Sequence, residues 1–391
     1  MIGLSRDTTA ADCRNRHGGI ALMSACVIVM ILAFAAFTVD VGLITLVKTE
    51  MQTVADASAL AGSAELLGPL LDRRAASDPK TLQAMSDARD AAVVVAGSNP
   101  SGYSAGTTLD RDTDIRFGNR AWNPVTGKWT TQWNVWPYNT VEITARRSTA
   151  LGTGLPLSFA PTIGHSSADV TERAVAAIMP IAGITSTNCV PVPIMPFLFD
   201  ADSWLDLETN GGPDDFSYDE ATKSVVRIPD GIPEIAIFPN GEDDTLPSGN
   251  RGTVNLGGWA NSTAVLADQI VNGIDCTELS YHGGSLDFSK GPLVLTGDPG
   301  LSTALKAPLN QVVGLERAIF LFTGFTGNGD TTEYSVSAIV GVRIMSVSLT
   351  GASSHRGLIV QPASLCLASG LPGKEPMSKL GTVYVSPRLV E

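Results

Sequence analysis

Gly164-His165-Ser166-Ser167-Ala168 is the chain's nearest approach to the Gly-x-Ser-x-Gly elbow, a strained strand-to-helix turn that exposes a serine nucleophile. The last glycine is missing and a strand-like run follows, so no catalytic serine is assigned. His282-Gly283-Gly284-Ser285 resembles an oxyanion-hole loop, but it has no elbow to serve, and a glycine-rich turn explains it. Asp110, Asp112 and Asp114 put carboxylates on alternate residues, as calcium loops do because a hard cation needs converging oxygens. The glycine and the distal glutamate of an EF-hand loop are absent. Solvated turns are therefore expected there and at two other acidic stretches, Asn240–Asp244 and Asn328–Asp330. The histidines are scattered, and neither a phosphate loop nor a dinucleotide fingerprint occurs. The residues thus point to no enzyme, no cofactor, no metal site and no small-molecule substrate.

Trp122, Trp129, Trp133 and Trp136 crowd one short stretch. They could form a stacking platform for sugar rings, and the expected alternative is cross-strand aromatic pairing within a sheet. Cys189, Cys276 and Cys366 lie in the long C-terminal part, where an oxidising compartment would allow one disulfide among them, with the pairing open. Cys13 falls on the cytoplasmic side, where a buried or idle thiol is expected over a lipidated one, and Cys26 falls within the membrane. The net charge of −13 is carried by residues 185–320, with 6 Lys and Arg against 19 Asp and Glu. Such a surface repels phosphate backbones, which excludes nucleic acid as a partner.

The element that must position everything else is Ile20–Val39, twenty residues without a charge. At about 1.5 Å per residue it covers roughly 30 Å, the thickness of a hydrocarbon core. The run continues through Asp40 into Val41–Val47, and it is longer than the apolar region of a cleaved signal, so an uncleaved anchor is expected. Arg6, Arg14 and Arg16 precede it, and positively charged flanks stay in the cytoplasm. The bulk of the chain is then periplasmic or extracellular, behind a single pass through the inner (cytoplasmic) membrane. Beyond Asp40, apolar or small residues recur at Ile44, Val47, Met51, Val54, Ser58 and Ala61, alternating by three and four. This is one packing stripe on a helix that reaches Leu67 before Pro69 breaks it.

The lead with RHGG, the apolar run, AAFTVDVG and the helix ending MQTVADASALAGSAEL are similar to the N-termini of TadE/TadG-like proteins of the tight-adherence (Flp) pilus-assembly system. The resemblance is specific for residues 14–67. It implies an inner-membrane, pilin-like component of a bacterial pilus or secretion machine. Two family features are missing. Ser24 or Met23 stands where a prepilin would carry its helical Glu, so clipping by a prepilin peptidase is not implied. The Asp-x-Ser-x-Ser metal motif of a von Willebrand A-type domain has only Asp56-Ala57-Ser58-Ala59-Leu60 as a near match.

After Pro69 a second helix is expected from Asp78-Pro79 to about Gly97, with Leu82, Met85, Ala88, Ala92 and Val95 as its apolar face. Strands are expected at 114–120, 128–133, 140–146 and 169–178. Asn188–Pro196 reads as a linker or a first extended strand whose prolines bar a central position. Later strands are expected at 224–228, 234–238, 292–295, 318–322, 334–349 with a bend near Gly341, and 358–361. Short helices are expected at 262–272 and 302–313. The expected fold is α+β: a long N-terminal transmembrane helix extending into a pilin-like domain of helix plus antiparallel sheet, then a second β-rich domain with short helices. The boundaries are a cytoplasmic N-terminus at 1–19, the transmembrane helix with its interfacial end at 20–47, the pilin-like domain at 48–182 and the β-rich domain at 183–391.

The function this predicts is a non-enzymatic structural or assembly component of a Tad/Flp-type pilus, meeting the membrane and other subunits through the N-terminal helix. The alternative is a membrane-tethered surface module that binds glycan or a calcium-bridged ligand.

Overall fold

The computed structural model describes residues 17–72, 74–185, 189–238, 251–257, 262–327, 331–350 and 357–390, the first four by backbone alone. The arginine-bearing lead, Cys13 and the acidic turns at 240–244 and 328–330 lie outside the described residues. The fold is α+β: a long apolar N-terminal helix followed by a β-rich remainder with several sheets and a few helices. Two units emerge, one of residues 1–55, 96–109 and 144–173, the other of 56–95, 110–143 and 174–391. Each is described by itself below.

Helix α1 (His17–Ala64) runs 48 residues without interruption. It stops at Ala64 rather than Leu67, because the ring of Pro69 would strike the carbonyl of Glu65 if the helix continued. Pro69 instead sits in the first turn of a short helix, α2 (Leu67–Leu71), where a missing N–H costs nothing. Helix α3 (Pro79–Ser98) opens as expected, with the Asp78 carboxylate accepting the Lys80 N–H at 2.8 Å. Its buried face holds Ala88 and Ala92 as expected, with Met85 and Val95 half-buried, but Leu82 is exposed, and Thr81 and Ala96 are buried as well. Small side chains let the backbones come close. A Cβ on Gly62 would lie 3.1 Å from the Ala88 carbonyl and 3.6 Å from the Ala92 methyl, so this crossing is close.

Strands β1 (Ile115–Asn123), β2 (Lys128–Trp133) and β3 (Thr140–Arg147) form an antiparallel meander, and Trp122 pairs directly with Trp129 across β1 and β2. Two short strands, β4 (Leu155–Pro156) and β5 (Ser167–Ala168), pair with each other and close a loop between them. Strand β6 (Val170–Ala177) follows β5 directly.

The later part of the second unit is organised by β7 (Ile194–Asp200), β8 (Ile235–Phe238), β9 (Arg251–Val254), β10 (Leu293–Asp298), β11 (Glu316–Thr326), β12 (Thr332–Ser348) and β13 (Gly357–Pro362). Their order is β8-β13-β12-β10-β9-β7-β11, and β11 also pairs with β12, so five strands close into a ring. One set of side chains, including Leu198, Val254, Leu295, Phe320 and Tyr334, forms one core; Phe197, Phe199, Ile319 and Leu321 form another. Strands buried on both faces read as continuous apolar runs, which is why IMPFLF and AIFLF show no alternation. Helix α4 (Ala201–Asn210), helix α5 (Thr263–Asn272) and the short helix α7 (Lys306–Gln311) contribute Trp204, Leu266, Ile270 and Leu309 to the second of these cores. A final strand, β14 (Arg388–Leu389), pairs with β6 and completes a sheet of order β2-β1-β3-β6-β14.

Two strand expectations are corrected. Pro196 lies inside an interior strand, because β7 shifts register beside it: Ile194 pairs with Ala318 but Leu198 with Phe320, and the ladder to β9 begins only at Phe197. The residue that cannot donate thus sits at an irregularity. Strand β12 passes through Gly341 without a break, and its register shift against β13 falls between Ile344 and Ser346. Gly341 serves close approach instead, since a Cβ there would meet the Ala363 carbonyl at 2.1 Å.

Candidate membrane anchor and its collar

The two halves of α1 have opposite surroundings. From Ala21 to Val39 every side chain is exposed except Ala36, which is half-buried, and Met23, Val29, Leu32, Phe34 and Phe37 are each more than half exposed. At about 25 cal/mol per Å² of apolar surface, leaving such a run in water is strongly unfavourable, whereas hydrocarbon accepts it. The polar Thr38 is accommodated by donating its hydroxyl to the Phe34 carbonyl at 2.8 Å. This is one N-terminal helix long and apolar enough to span a membrane.

The change comes at a single residue. Asp40 is 3% exposed, and its carboxylate accepts the backbone N–H groups of Ser158 at 2.8 Å, Phe159 at 2.9 Å and Ala160 at 2.6 Å. Before these contacts the helix is bare; after them one face becomes covered, while Val41 and Leu46 stay 42% and 56% exposed. Glu50 accepts the Gly102 N–H at 2.6 Å, the Gln52 amide donates to the Arg173 carbonyl, and Lys48 lies 3.6 Å from Glu172. The Thr107 hydroxyl donates to the Met51 sulfur at 3.9 Å. Gly102 has φ +56°, and a Cβ on it would meet Arg147, Val47 and Leu155 at 3.0–3.2 Å. The Arg147 guanidinium donates to the carbonyls of Ser101 and Thr153. Thr149 donates both its N–H and its hydroxyl to Asp169, and these bonds hold that carboxyl below its ordinary value. Segments 96–109 and 144–173 therefore form a collar fastened to the first turns of helix beyond the apolar run.

Of the stripe on α1, Val47, Met51, Val54 and Ser58 are buried, and Ile44 and Ala61 half-buried. Val47 and Met51 are covered by the chain's own collar. Cys189 and Cys276 are joined by a disulfide, whereas Cys366 is free; burial pushes its thiol up, with a hydrogen bond to Ser386 as the smaller, opposing influence.

The remaining sequence motifs are not brought together into a site. Ser166 is exposed on the β4–β5 loop after Gly164, which closes a 3-10 turn, so no strand-to-helix elbow surrounds it. His282 lies at the turn after the short helix α6 (Cys276–Ser280), its Nε2 3.0 Å from the Leu256 carbonyl. Asp110 accepts the N–H groups of Asp112 and Thr113, and Asp114 accepts that of Asp110, so these carboxylates organise their own turn. Trp122 and Trp129 meet edge to face at 5.7 Å. Lys374 lies over Trp122, Arg120 over Trp129 and Arg116 over Trp133. Among the described residues no three His, Cys, Asp or Glu side chains could hold a metal ion together.

The latch from Asp40 to residues 158–160 was not anticipated from sequence. Its one signal is that Asp40 is the first charge after the apolar run; the partners lie about 120 residues away and are backbone amides, which any residue type supplies.

No curated protein and no solved structure matches this chain. Residues 18–77, which hold the apolar run, the packed half of α1 and the turn beyond it, match the Tad family model, described as "Putative Flp pilus-assembly TadE/G-like". Over this N-terminal segment the chain is similar to the TadE/G-like pilus-assembly family.

Proposed function

We propose that this chain is a bitopic, non-enzymatic structural or assembly subunit of a Tad/Flp-type pilus or a related secretion machine, anchored in the inner membrane by residues 20–39 with its bulk exported. The observation that carries this reading is the bare apolar half of α1, continuous with a collared half, inside the segment that matches the pilus-assembly family. The arginines of the lead favour a cytoplasmic N-terminus. The Cys189–Cys276 disulfide fits an oxidising compartment on the other side. The pilin-like domain at 48–182 is part of this reading, supported by a long helix preceding a mostly antiparallel sheet. Because the collar already covers Val47 and Met51, contact with neighbouring subunits falls to the bare half and to the exported surfaces. A cation stacks on one face each of Trp122, Trp129 and Trp133, and Trp122 pairs with Trp129, contacts that give these rings a structural role and support this reading over a glycan-binding module.

The test is protease treatment of spheroplasts carrying an N-terminal and a C-terminal epitope, combined with affinity purification of the chain from piliated cells. Loss of the C-terminal epitope alone, with pilus-assembly proteins co-purifying, is the expected result. A protected C-terminus, or purification free of any pilus component, overturns the proposal.

A further inference from the structure

We infer that the loop between β4 and β5 is a second membrane contact, a wedge whose Phe159 and Ile163 enter the interfacial layer of the bilayer on the side where α1 emerges. The inference rests on the anchoring role of α1 proposed above. Its first support is position. Asp40 directly follows the last residue of the apolar run, and its carboxylate holds the backbone of Ser158, Phe159 and Ala160 at its own level on the helix. If Val39 lies at the edge of the hydrocarbon, the loop lies there too.

The second support is composition. Between Arg147 and Asp169 there is no Asp, Glu, Lys or Arg, in a chain with 17% charged residues. Within this stretch Phe159 is 44% and Ile163 69% exposed, both outside the buried core. Exposed apolar side chains beside a span that is itself bare make a continuous apolar surface, and amphipathic elements of this kind settle at the headgroup–acyl boundary. Bulky aromatic residues are suited to that layer.

The third support is the state of the backbone. A non-helical segment near hydrocarbon must satisfy its amides without water. Asp40 takes three of them, Pro161 has none to satisfy, and those of Leu157, Thr162, Gly164 and His165 are bonded within the loop. A merely solvated loop needs no such closure.

The experiment places the photocrosslinker p-benzoylphenylalanine singly at positions 159, 163, 32 and 103 of the full chain, reconstitutes each into phosphatidylethanolamine–phosphatidylglycerol vesicles, and reads phospholipid adducts by mass after irradiation. Position 32 reports the span. Tyr103 is the exposed control: its neighbour Gly102 bonds to Glu50, ten residues along α1 from Asp40, or about 15 Å farther out. Adduct yields at 159 and 163 within about threefold of that at 32, and at least about tenfold above that at 103, are expected for interfacial insertion. Adducts at 32 but none at 159 and 163 overturn the wedge and leave the anchor standing. Adducts between two copies of the chain at 159 or 163 also overturn it, in favour of a protein contact. No lipid adduct at 32 overturns the anchoring role itself, and the wedge with it.

Discussion

The Glu50 carboxylate accepts the backbone N–H of Gly102 at 2.6 Å, tying the helix that leaves the membrane to a segment 52 residues further along the chain. Gly102 has φ +56° and no room for a methyl group. Gly102→Ala should therefore cost about 2–3 kcal/mol, from left-handed strain plus crowding against Val47 and Leu155. Glu50→Gln, which keeps an acceptor, should cost about 1 kcal/mol or less. Thermal melting of the detergent-solubilised chain checks both, and an unshifted Gly102→Ala would show that the collar does not close on Val47.

The opposite surroundings of the two halves of α1 predict opposite sensitivities. Met51→Ala removes a fully buried side chain and should lower stability by about 2–5 kcal/mol. Leu32→Ala, in the bare half, should leave the unfolding of the rest of the chain unchanged. Denaturant titration followed by near-UV circular dichroism distinguishes them; equal losses would contradict the division at Asp40.

The disulfide spans a sequence separation of 87 residues. Loop-closure entropy of that length corresponds to about 4–5 kcal/mol, and removal of native bridges from small secreted domains typically costs 2–5 kcal/mol. Cys276→Ser should fall in that range, and reduction of the wild-type chain should reproduce it. Cys366→Ser, at a half-buried thiol outside the bridge, should cost only about 1 kcal/mol. Urea unfolding with and without reductant reads all three. Burial raises the Cys366 thiol, so its alkylation at pH 8 should be slower than that of an exposed peptide thiol.

Tyr334 sits fully buried in the ring of strands, where Gly252 and Gly297 leave space for its ring. Burial, with Asp298 adding like charge, pushes its hydroxyl up to about 12. In the unfolded chain it ionises near 10. Below pH 10 both states keep the proton and the residue has no effect on pH dependence. Between pH 10 and 12 the unfolded state loses the proton and the native state retains it, so stability falls across that window. Tyr334→Phe should flatten this decline, and the wild-type phenolate absorbance should show one step near 12 that the variant lacks.

Local signals made much of the architecture legible. Asp78-Pro79 marked the start of α3, Ser262 and Gly273 bracketed α5, and alternating polarity located β1, β2, β3 and β6 to within a few residues. The failures were those of tertiary context. On α3 the expected Ala88 and Ala92 are buried, but Leu82 is exposed, which the helical spacing alone does not reveal. Pro196 was kept out of the sheet interior because a register shift cannot be read from one strand. Closure of the strand ring depends on β11, already paired with its sequence neighbour β12, also pairing in parallel with β7, a segment far earlier in the chain. The anchor was legible because a bilayer imposes a length and an apolarity on contiguous residues. The collar was not, because its key contacts run from side chains to main chain.

An unbroken α1 also has a mechanical meaning. Between the bare apolar turns and the collar the helix runs on without a break, Gly42 included, and Asp40 clamps the turn where a swivel would be placed. A pull or twist applied to the collar is thus delivered directly to the buried rod. Held in a bilayer, such a rod would in turn restrict how the collar can tilt.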